Sequence, residues 1–426
     1  MDNNLENFDK LKNKPQMEGN APHHCMIVHA YYPLGETRVE REALALIDEG
    51  ITVDVICLKD KGEVFSETLK GVRIFRMPVK RHRDHGSVVQ LLEYLLFMFY
   101  SAIYVTWRHI QKRYQVVQVH NLPDFLVFAA LVPKIAGAKV ILDIHDLMPD
   151  FFAEKFNKSM DSTIVRVVNF QERVSCWFAD HVITVTEIWR QSLIEKGVPP
   201  EKVSVVMNLA DHNIFKPINA MNLPDRKDDR FKMIYHGYIP ERYGLDLILQ
   251  SIDQLKSEIP NILFTLIGDG EFLPELKIMA DDLNLTDTHV EFLDVVPVDQ
   301  LPSLIAEADI AIVPYRNDVF TDALLPTKLL EYALMGLPTI AACTSTIAYY
   351  FDDSMVQFIE PGNLQELTHA IRELYVDPAR RDQLSRGIQT FNQQYNWEAS
   401  GQKYAELVKQ LPQRGRQKID MARNEN

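Results

Sequence analysis

Lys328 and Glu331 stand three residues apart in the segment Thr321-Asp322-Ala323-Leu324-Leu325-Pro326-Thr327-Lys328-Leu329-Leu330-Glu331-Tyr332-Ala333-Leu334-Met335-Gly336-Leu337-Pro338. Pro326 suits the first turn of a helix and Gly336 its end, so the pair shares one face near a helix N-terminus. A lysine there attracts phosphate, and a carboxylate one turn on accepts two sugar hydroxyls. The same spacing also describes a solvated surface ion pair. His145 follows the apolar run Lys139 to Ile144, and His120 ends the run Val116 to His120, with Asp124 close behind. Strand ends are where parallel sheets present ligand-binding groups, although buried histidines also serve plain packing.

The elements that must position these residues recur along the chain. Runs rich in Val and Ile begin at Cys25, Val53, Val72, Val116, Lys139, Val182 and Val203, then again at Met233, Ile262, Val290, Ile310, Thr339 and Val356. Helical patterns lie between them, among them Glu36 to Glu49, stopped by Gly50. Alternation of this kind predicts α/β architecture with parallel sheets covered on both faces. The 426 residues suffice for two domains. The expected division is a flexible segment 1–20, a Rossmann-like domain 21–216, a linker 217–230 and a second Rossmann-like domain 231–395. A C-terminal helix 396–412, packing back on the first domain, and a frayed tail 413–426 complete it.

With 46% hydrophobic and 24% charged residues the chain is globular. A net charge of −14 argues against general nucleic-acid binding. Cys25, Cys57, Cys176 and Cys343 form no C-x-x-C pair and lie in or beside apolar runs, which predicts reduced, buried thiols in a cytoplasmic protein. Residues 1–20 are polar and carry no apolar core of a secretory signal.

Pro-Thr-Lys-Leu-Leu-Glu-Tyr followed by Gly-Leu-Pro-Thr-Ile resembles the donor-binding helix of family 4 glycosyltransferases, whose GT-B fold is two facing Rossmann-like domains with a cleft between them. The likeness continues in Gly35-Glu36-Thr37-Arg38, His120-Asn121-Leu122-Pro123-Asp124, Asp143-Ile144-His145-Asp146, Tyr235-His236-Gly237 with Glu241-Arg242-Tyr243-Gly244, Ile267-Gly268-Asp269 and Val313-Pro314-Tyr315-Arg316. The resemblance implies a retaining, metal-independent, hexosyltransferase-type enzyme. It would take a UDP- or GDP-sugar co-substrate, no further cofactor, and a saccharide or lipid-linked acceptor of cell-surface polysaccharide assembly. It also implies roles residue by residue. Glu331 would bind donor hydroxyls. Lys328 and Arg242 would neutralise the diphosphate, with Thr327 beside them at the helix start. Gly35, Gly237 and Gly268 would let backbone approach phosphate or acceptor, and His145 would lie near the transferred sugar.

Two departures stand out. The family's first glutamate, separated from its partner by seven intervening residues, falls here on Ala323, and Asp318 and Asp322 are the nearby carboxylates. Tyr238 and Tyr243 stand near where the family often has basic residues, leaving Arg242 either alone or assisted by Arg316. No Asp-x-Asp follows an apolar strand, so no metal site is expected. Val88 to Trp107, about 20 predominantly apolar residues, would suffice on length to cross a bilayer. Gln90 and Glu93 would then sit in lipid, and the strands on either side belong to one sheet. The remaining readings are a core helix, or an amphipathic helix within residues 80–113 resting on an anionic inner membrane face. The competing functions are a nucleotide-sugar epimerase or hydrolase on this fold, and a non-catalytic partner subunit.

Overall fold

The computed structural model describes residues 21–33, 36–81, 87–155, 159, 161–218 and 228–424, excepting the side chains of residues 87, 150, 151, 154, 155 and 413–424. Gly35, the segment 1–20, residues 82–86 and 219–227, and the last two residues lie outside that set. The described residues up to Met207 and from Glu398 onward form one compact unit, and Asn208–Trp397 a second. The first unit ends before residue 216 because its last strand closes at Val205.

The first unit is built on β1 (His23–Ile27), β2 (Thr52–Leu58), β3 (Ser66–Leu69), β4 (Val72–Met77), β5 (Val116–His120), β6 (Lys139–Ile144), β7 (His181–Thr184) and β8 (Val203–Val205). Their order in the sheet is β3-β4-β2-β1-β5-β6-β7-β8, parallel throughout except for β3. Its main helices are α1 (Thr37–Asp48), α2 (Ser87–Lys112), α3 (Leu131–Ile135), α4 (Met148–Lys155), α5 (Thr163–Phe178) and α6 (Glu187–Glu195). Six of the seven β2 residues are buried. Continuous burial is what a parallel strand covered on both faces requires, and it explains why the apolar runs were legible. β3 is short, polar and exposed along its length, so it left no apolar trace.

Right-handed crossovers place α1 on one face and α2, α3 and α5 on the other. A 3₁₀ turn, Asp124–Ala130, packs against both α2 and α5. Because β4 and β5 share one sheet, α2 cannot span a bilayer between them. It is nonetheless long and apolar enough to do so by length and composition. Its outward face is apolar, with Val88 72% and Ile110 74% exposed.

The second unit holds β9 (Phe231–His236), β10 (Ile262–Ile267), β11 (Val290–Leu293), β12 (Ile310–Val313), β13 (Thr339–Ala342) and β14 (Gln357–Ile359). All pair in parallel in the order β11-β10-β9-β12-β13-β14, with β9 in the interior. The connecting helices are α7 (Leu245–Leu255), α8 (Leu273–Asp282), α9 (Leu301–Ala306), α10 (Val319–Ala323), α11 (Thr327–Met335), α12 (Ser345–Tyr350), α13 (Leu364–Val376) and α14 (Pro378–Gln394). The last helix, α15 (Trp397–Asn424), belongs to the first unit, where the Tyr404 hydroxyl donates to Gln118 Oε1 at 2.7 Å. Its backbone stays helical past Pro412 where a frayed tail was expected, since Gln, Arg, Lys and Ala there are good helix formers. Cys25, Cys57 and Cys176 are buried as expected, but Cys343 is exposed. It lies one residue past the end of β13, where the chain leaves the sheet.

Candidate functional site

In the second unit the loops after β9, β10 and β12 and the start of α11 converge on Lys328. Pro326 occupies the N-cap of α11 and Thr327 its first helical position, exposed. Lys328 is buried, with its ammonium 3.0 Å from the Tyr315 hydroxyl. The ring centroids of Tyr235 and Tyr243 lie 4.8 and 4.9 Å from the same nitrogen. Among the described residues it has no carboxylate partner. Burial lowers its pKa to about 8, a shift that the negative charge of Glu331 partly opposes.

Glu331, one turn along, accepts from His236 Nε2 at 2.5 Å. That bond leaves Nδ1 to accept from the Tyr332 hydroxyl at 2.8 Å, and the Tyr332 oxygen in turn accepts the His236 backbone N–H at 3.2 Å. Glu331 is thus oriented from beneath while 19% of its side chain remains exposed.

The two glycines behave differently. A Cβ on Gly237, at φ +114, would sit 3.3 Å from Lys328 Cε, so this glycine leaves space beside the lysine. A Cβ on Gly268 would lie 1.9 Å from the Gly237 carbonyl oxygen, so Gly268 serves the close packing of two loops. Arg242 lies in the 3₁₀ turn Glu241–Tyr243, its guanidinium carbon 5.1 Å from the centre of the Phe320 ring. Arg316 is engaged elsewhere, forked onto Asp246 at 2.8 and 2.7 Å. It is therefore held as a structural pair rather than as an assistant to Arg242.

Asp318 and Asp322, the two carboxylates near Ala323, hold helix ends. Asp318 caps α10, accepting from the backbone N–H groups of Phe320 and Thr321 at 2.8 and 2.7 Å. Asp322 accepts from the Ser345 N–H at the start of α12, at 2.8 Å.

In the first unit the strand-end groups converge on Asp143. Parallel register sets His120 of β5 directly beside Asp143 of β6. Arg38, in the first turn of α1, donates from Nη2 to Asp143 Oδ1 at 2.9 Å and from Nη1 to the Val206 carbonyl at 2.6 Å. Its Nη2 also pairs with Glu42 at 3.1 Å. Gln118 donates to Glu42 Oε2 at 2.7 Å and accepts from Tyr404. His120 Nδ1 and His145 Nε2 lie 3.1 and 3.2 Å from Asp143 Oδ2.

Burial alone would raise the pKa of Asp143, but the Arg38 and His145 charges hold it well below the usual carboxylate range. Burial likewise opposes the charged form of His145, and Asp143 more than offsets it, raising the histidine's pKa. His120, fully enclosed, is lowered to about 4 chiefly by burial. Burial and the Asp143 charge raise Glu42 to about 8. Asp124 is buried, bonded by Asn121 Nδ2 at 2.8 Å, and raised to about 8, first by burial and then by Glu172. It is a neutral packing group rather than a ligand-facing one.

His120, Asp143 and His145 offer ligating atoms all within 4.8 Å of one another, the single such cluster among the described residues. Charge argues against a divalent cation there. The Arg38 guanidinium already occupies Asp143, and a metal would face that cation at short range. The buried Asp143 carboxylate instead favours the protonated form of His145.

Sequence reasoning singled out His145, Glu331, Arg242 and Lys328, and the structure groups the last three with Gly237 in one unit and places His145 in the other. It missed Arg38, Asp143, His236, Tyr243 and Tyr315 as site-building residues. Their positions at strand ends and helix starts were signals available for all five. Nothing in the sequence pointed to Tyr404 as the partner of Gln118, 286 residues away.

Residues 35–208 match the family profile described as a glycosyl transferase 4-like domain, and residues 220–390 the one described as glycosyl transferases group 1. The chain is 27% identical over 264 residues to the putative colanic acid biosynthesis glycosyl transferase WcaI of Escherichia coli, covering 58% of this chain and 63% of that one. It is 26% identical over 187 residues to the GDP-mannose-dependent alpha-(1-6)-phosphatidylinositol monomannoside mannosyltransferase of Mycolicibacterium smegmatis, covering 42% and 48%. It therefore spans less than two thirds of the length of these relatives. Among solved structures it is similar to sucrose-phosphate synthase from Thermosynechococcus elongatus, with TM-score 0.71, 17% identity and coverage of 92% and 99%. It is also similar to Anabaena HepE in complex with UDP, with TM-score 0.65, 16% identity and coverage of 91% and 99%. At these identities the likeness shows the fold, two parallel-sheet α/β domains of the GT-B type.

Proposed function

The chain belongs to the family 4-type GT-B glycosyltransferases, and on that premise we propose that it moves a sugar from a nucleotide-sugar donor to a hydroxyl of a saccharide or lipid-linked acceptor. The setting is cell-surface polysaccharide or glycolipid assembly. One observation carries the reading: Lys328 is a buried cation with no carboxylate partner among the described residues, set beside the space that Gly237 leaves. A diphosphate supplies the missing charge.

In this mechanism the departing nucleoside diphosphate develops negative charge that Lys328, Arg242 and the N-terminus of α11 neutralise, without a metal. Glu331, held by His236, accepts donor hydroxyls. The leaving phosphate helps deprotonate the acceptor on the face it departs from, so configuration is retained and no covalent intermediate forms. His145, whose pKa the Asp143 charge raises, is the residue of the first unit that this reading assigns to the transferred sugar. UDP or GDP is the expected leaving group, in keeping with the nucleotides named for HepE and for the mycobacterial enzyme.

The test is thermal stability of the purified protein against UDP, GDP, ADP and dTDP, followed by transfer from the matching nucleotide sugars. A nucleotide at 100 times its Kd should add about 2.7 kcal/mol. No stabilisation by any of them would defeat the donor reading. Binding without turnover would favour a non-catalytic partner subunit, a reading supported by Ala323 and by the capping roles of Asp318 and Asp322.

The proposal extends to a cytoplasmic protein at the inner face of a membrane. The outward faces of α2, α3 and α5 carry exposed Phe99, Trp107, Ile135, Phe170 and Trp177, with Arg166 and Arg173 exposed among them. Apolar and basic side chains on neighbouring helices suit an anionic lipid surface. Co-sedimentation with anionic vesicles, weakened with zwitterionic ones and in a Phe99→Ser/Trp107→Ser/Phe170→Ser variant, is the expected result. Equal recovery without vesicles or with the variant would remove it.

A further inference from the structure

We propose that Tyr243 and Tyr315 are positioning residues that keep Lys328 short of a counter-charge, so that binding a nucleoside diphosphate at this site takes up a proton onto the Lys328 amine. The inference rests on the donor reading above and specifies how that site is regulated.

A buried lysine normally shares its pocket with a carboxylate, because an isolated ammonium in low dielectric is unfavourable. Lys328 instead sits among tyrosines. Its nitrogen is 3.0 Å from the Tyr315 hydroxyl and 4.9 and 5.5 Å from the ring centres of Tyr243 and Tyr315. Those two rings stack at 4.1 Å and 15°, which fixes the wall of the box. A phenol suits this position because it serves both states of the amine: its oxygen accepts from an ammonium, and its O–H donates to a neutral amine. The ring faces add a weak attraction for the cation that falls short of a full negative charge.

The groups facing the amine come from four elements. Tyr235 and His236 end β9, Arg242 and Tyr243 lie in the following 3₁₀ turn, Tyr315 follows β12, and Glu331 and Tyr332 share α11 with the lysine. Burial pushes the Tyr235, Tyr315 and Tyr332 phenols well above their ordinary pKa, so they stay neutral. Glu331 is the one carboxylate of the set, and it is turned to His236 at 2.5 Å.

The result is an amine whose pKa is lowered to about 8, mainly by burial. A diphosphate brings the absent counter-charge and raises that pKa. The amine then binds a proton drawn from solvent, and no bond is made or broken elsewhere. The sign follows. Affinity is full below about pH 8, where the free amine is already charged, and declines as pH rises above it. A terminal phosphate with pKa near 6 is already ionised there, so it contributes nothing to the proton count.

The experiment is calorimetric titration of the full chain with whichever of UDP, GDP and ADP binds, at pH 6.5, 8 and 9, in buffers of different ionisation enthalpy. At pH 8 uptake of roughly half a proton is expected, and Kd should rise about tenfold between pH 7 and 9. Lys328→Arg, which carries a permanent charge, should abolish the uptake. Tyr315→Phe removes the oxygen that accepts from the ammonium but keeps the ring, and should move the midpoint to lower pH. A merely structural role for that tyrosine would leave the midpoint in place. Buffer-independent heats for a nucleotide that binds well, or an unmoved midpoint in Tyr315→Phe, would overturn this proposal and leave the donor reading standing. Failure of a folded protein to bind any of the three nucleotides would overturn both.

Discussion

The two units build their strand-end sites from similar materials and finish them in opposite ways. Around Asp143 the charged groups compensate one another, although His120 Nε2 is buried without a hydrogen-bond partner among the described residues. Arg38 has a forked carboxylate, Glu42 is kept protonated by burial and by Asp143, and Gln118 is held from both ends. Around Lys328 the chain supplies aromatic walls and an absent side chain at Gly237 instead of a counter-charge. The first arrangement is charge-compensated within the fold, with His145 as its partly exposed member. The second is electrostatically unfinished and so is complementary to an anion. A buried ionic cluster in one place and a buried lone cation in another therefore carry different meanings.

The largest expected effect tests that contrast through stability. Arg38→Ala leaves Asp143 buried without its partner and should cost about 3–5 kcal/mol, read from denaturant midpoints. Lys328→Met removes a cation that has no ion-pair partner, and should change stability by less than about 1 kcal/mol in either direction. Comparable losses in both variants would break the contrast.

Activity should divide the other way. His145→Asn is expected to slow transfer by about 100-fold while nucleotide affinity holds. Lys328→Met should weaken nucleotide binding about ten- to hundredfold, the worth of a hydrogen bond to a charged group. A His145 variant that lost nucleotide affinity instead would reassign it to the donor side.

A smaller effect concerns Glu42. Its folded pKa is raised to about 8, so the native state keeps a proton that the unfolded chain releases above its ordinary value. Stability should fall as pH rises from about 5 to 8, and Glu42→Gln should flatten that fall, on the order of 3 kcal/mol. Chemical denaturation at pH 5.5 and 8 measures it, and an unchanged slope would mean that Glu42 ionises in the fold. Smallest is Asp318→Ala, which should remove a helix cap worth about 1 kcal/mol and leave nucleotide affinity unchanged. A tenfold loss of affinity would return Asp318 to the donor site.

Much of the fold was legible. β2, β5, β6 and β10 are near-continuous apolar runs because both faces of a parallel sheet are covered. β3 was missed because an exposed edge strand needs no apolar side chains. Lys328, Glu331 and His145 could be singled out as candidates from residue type and place in the chain, and Arg242 from the family resemblance. The roles of Asp318, Asp322 and Gly268 could not. Each depends on a backbone group that the fold brings near: the first turn of α10, the start of α12 and the Gly237 carbonyl.

By itself the sequence determined the alternation of strands and helices, the two-domain plan and the family, all written in local periodicity and short motifs. Tertiary structure alone decided the state of each chemical group. Asp143 is charged because Arg38, 105 residues away, forks onto it, and Gln118 is oriented by Tyr404 from 286 residues away. Lys328 has no carboxylate partner among the described residues because β9, β12 and the turn before α7 wall it with tyrosines. Protonation and charge compensation depend on burial and on neighbours at a few ångströms. Sheet register and packing set those distances, and spacing along the chain does not encode them.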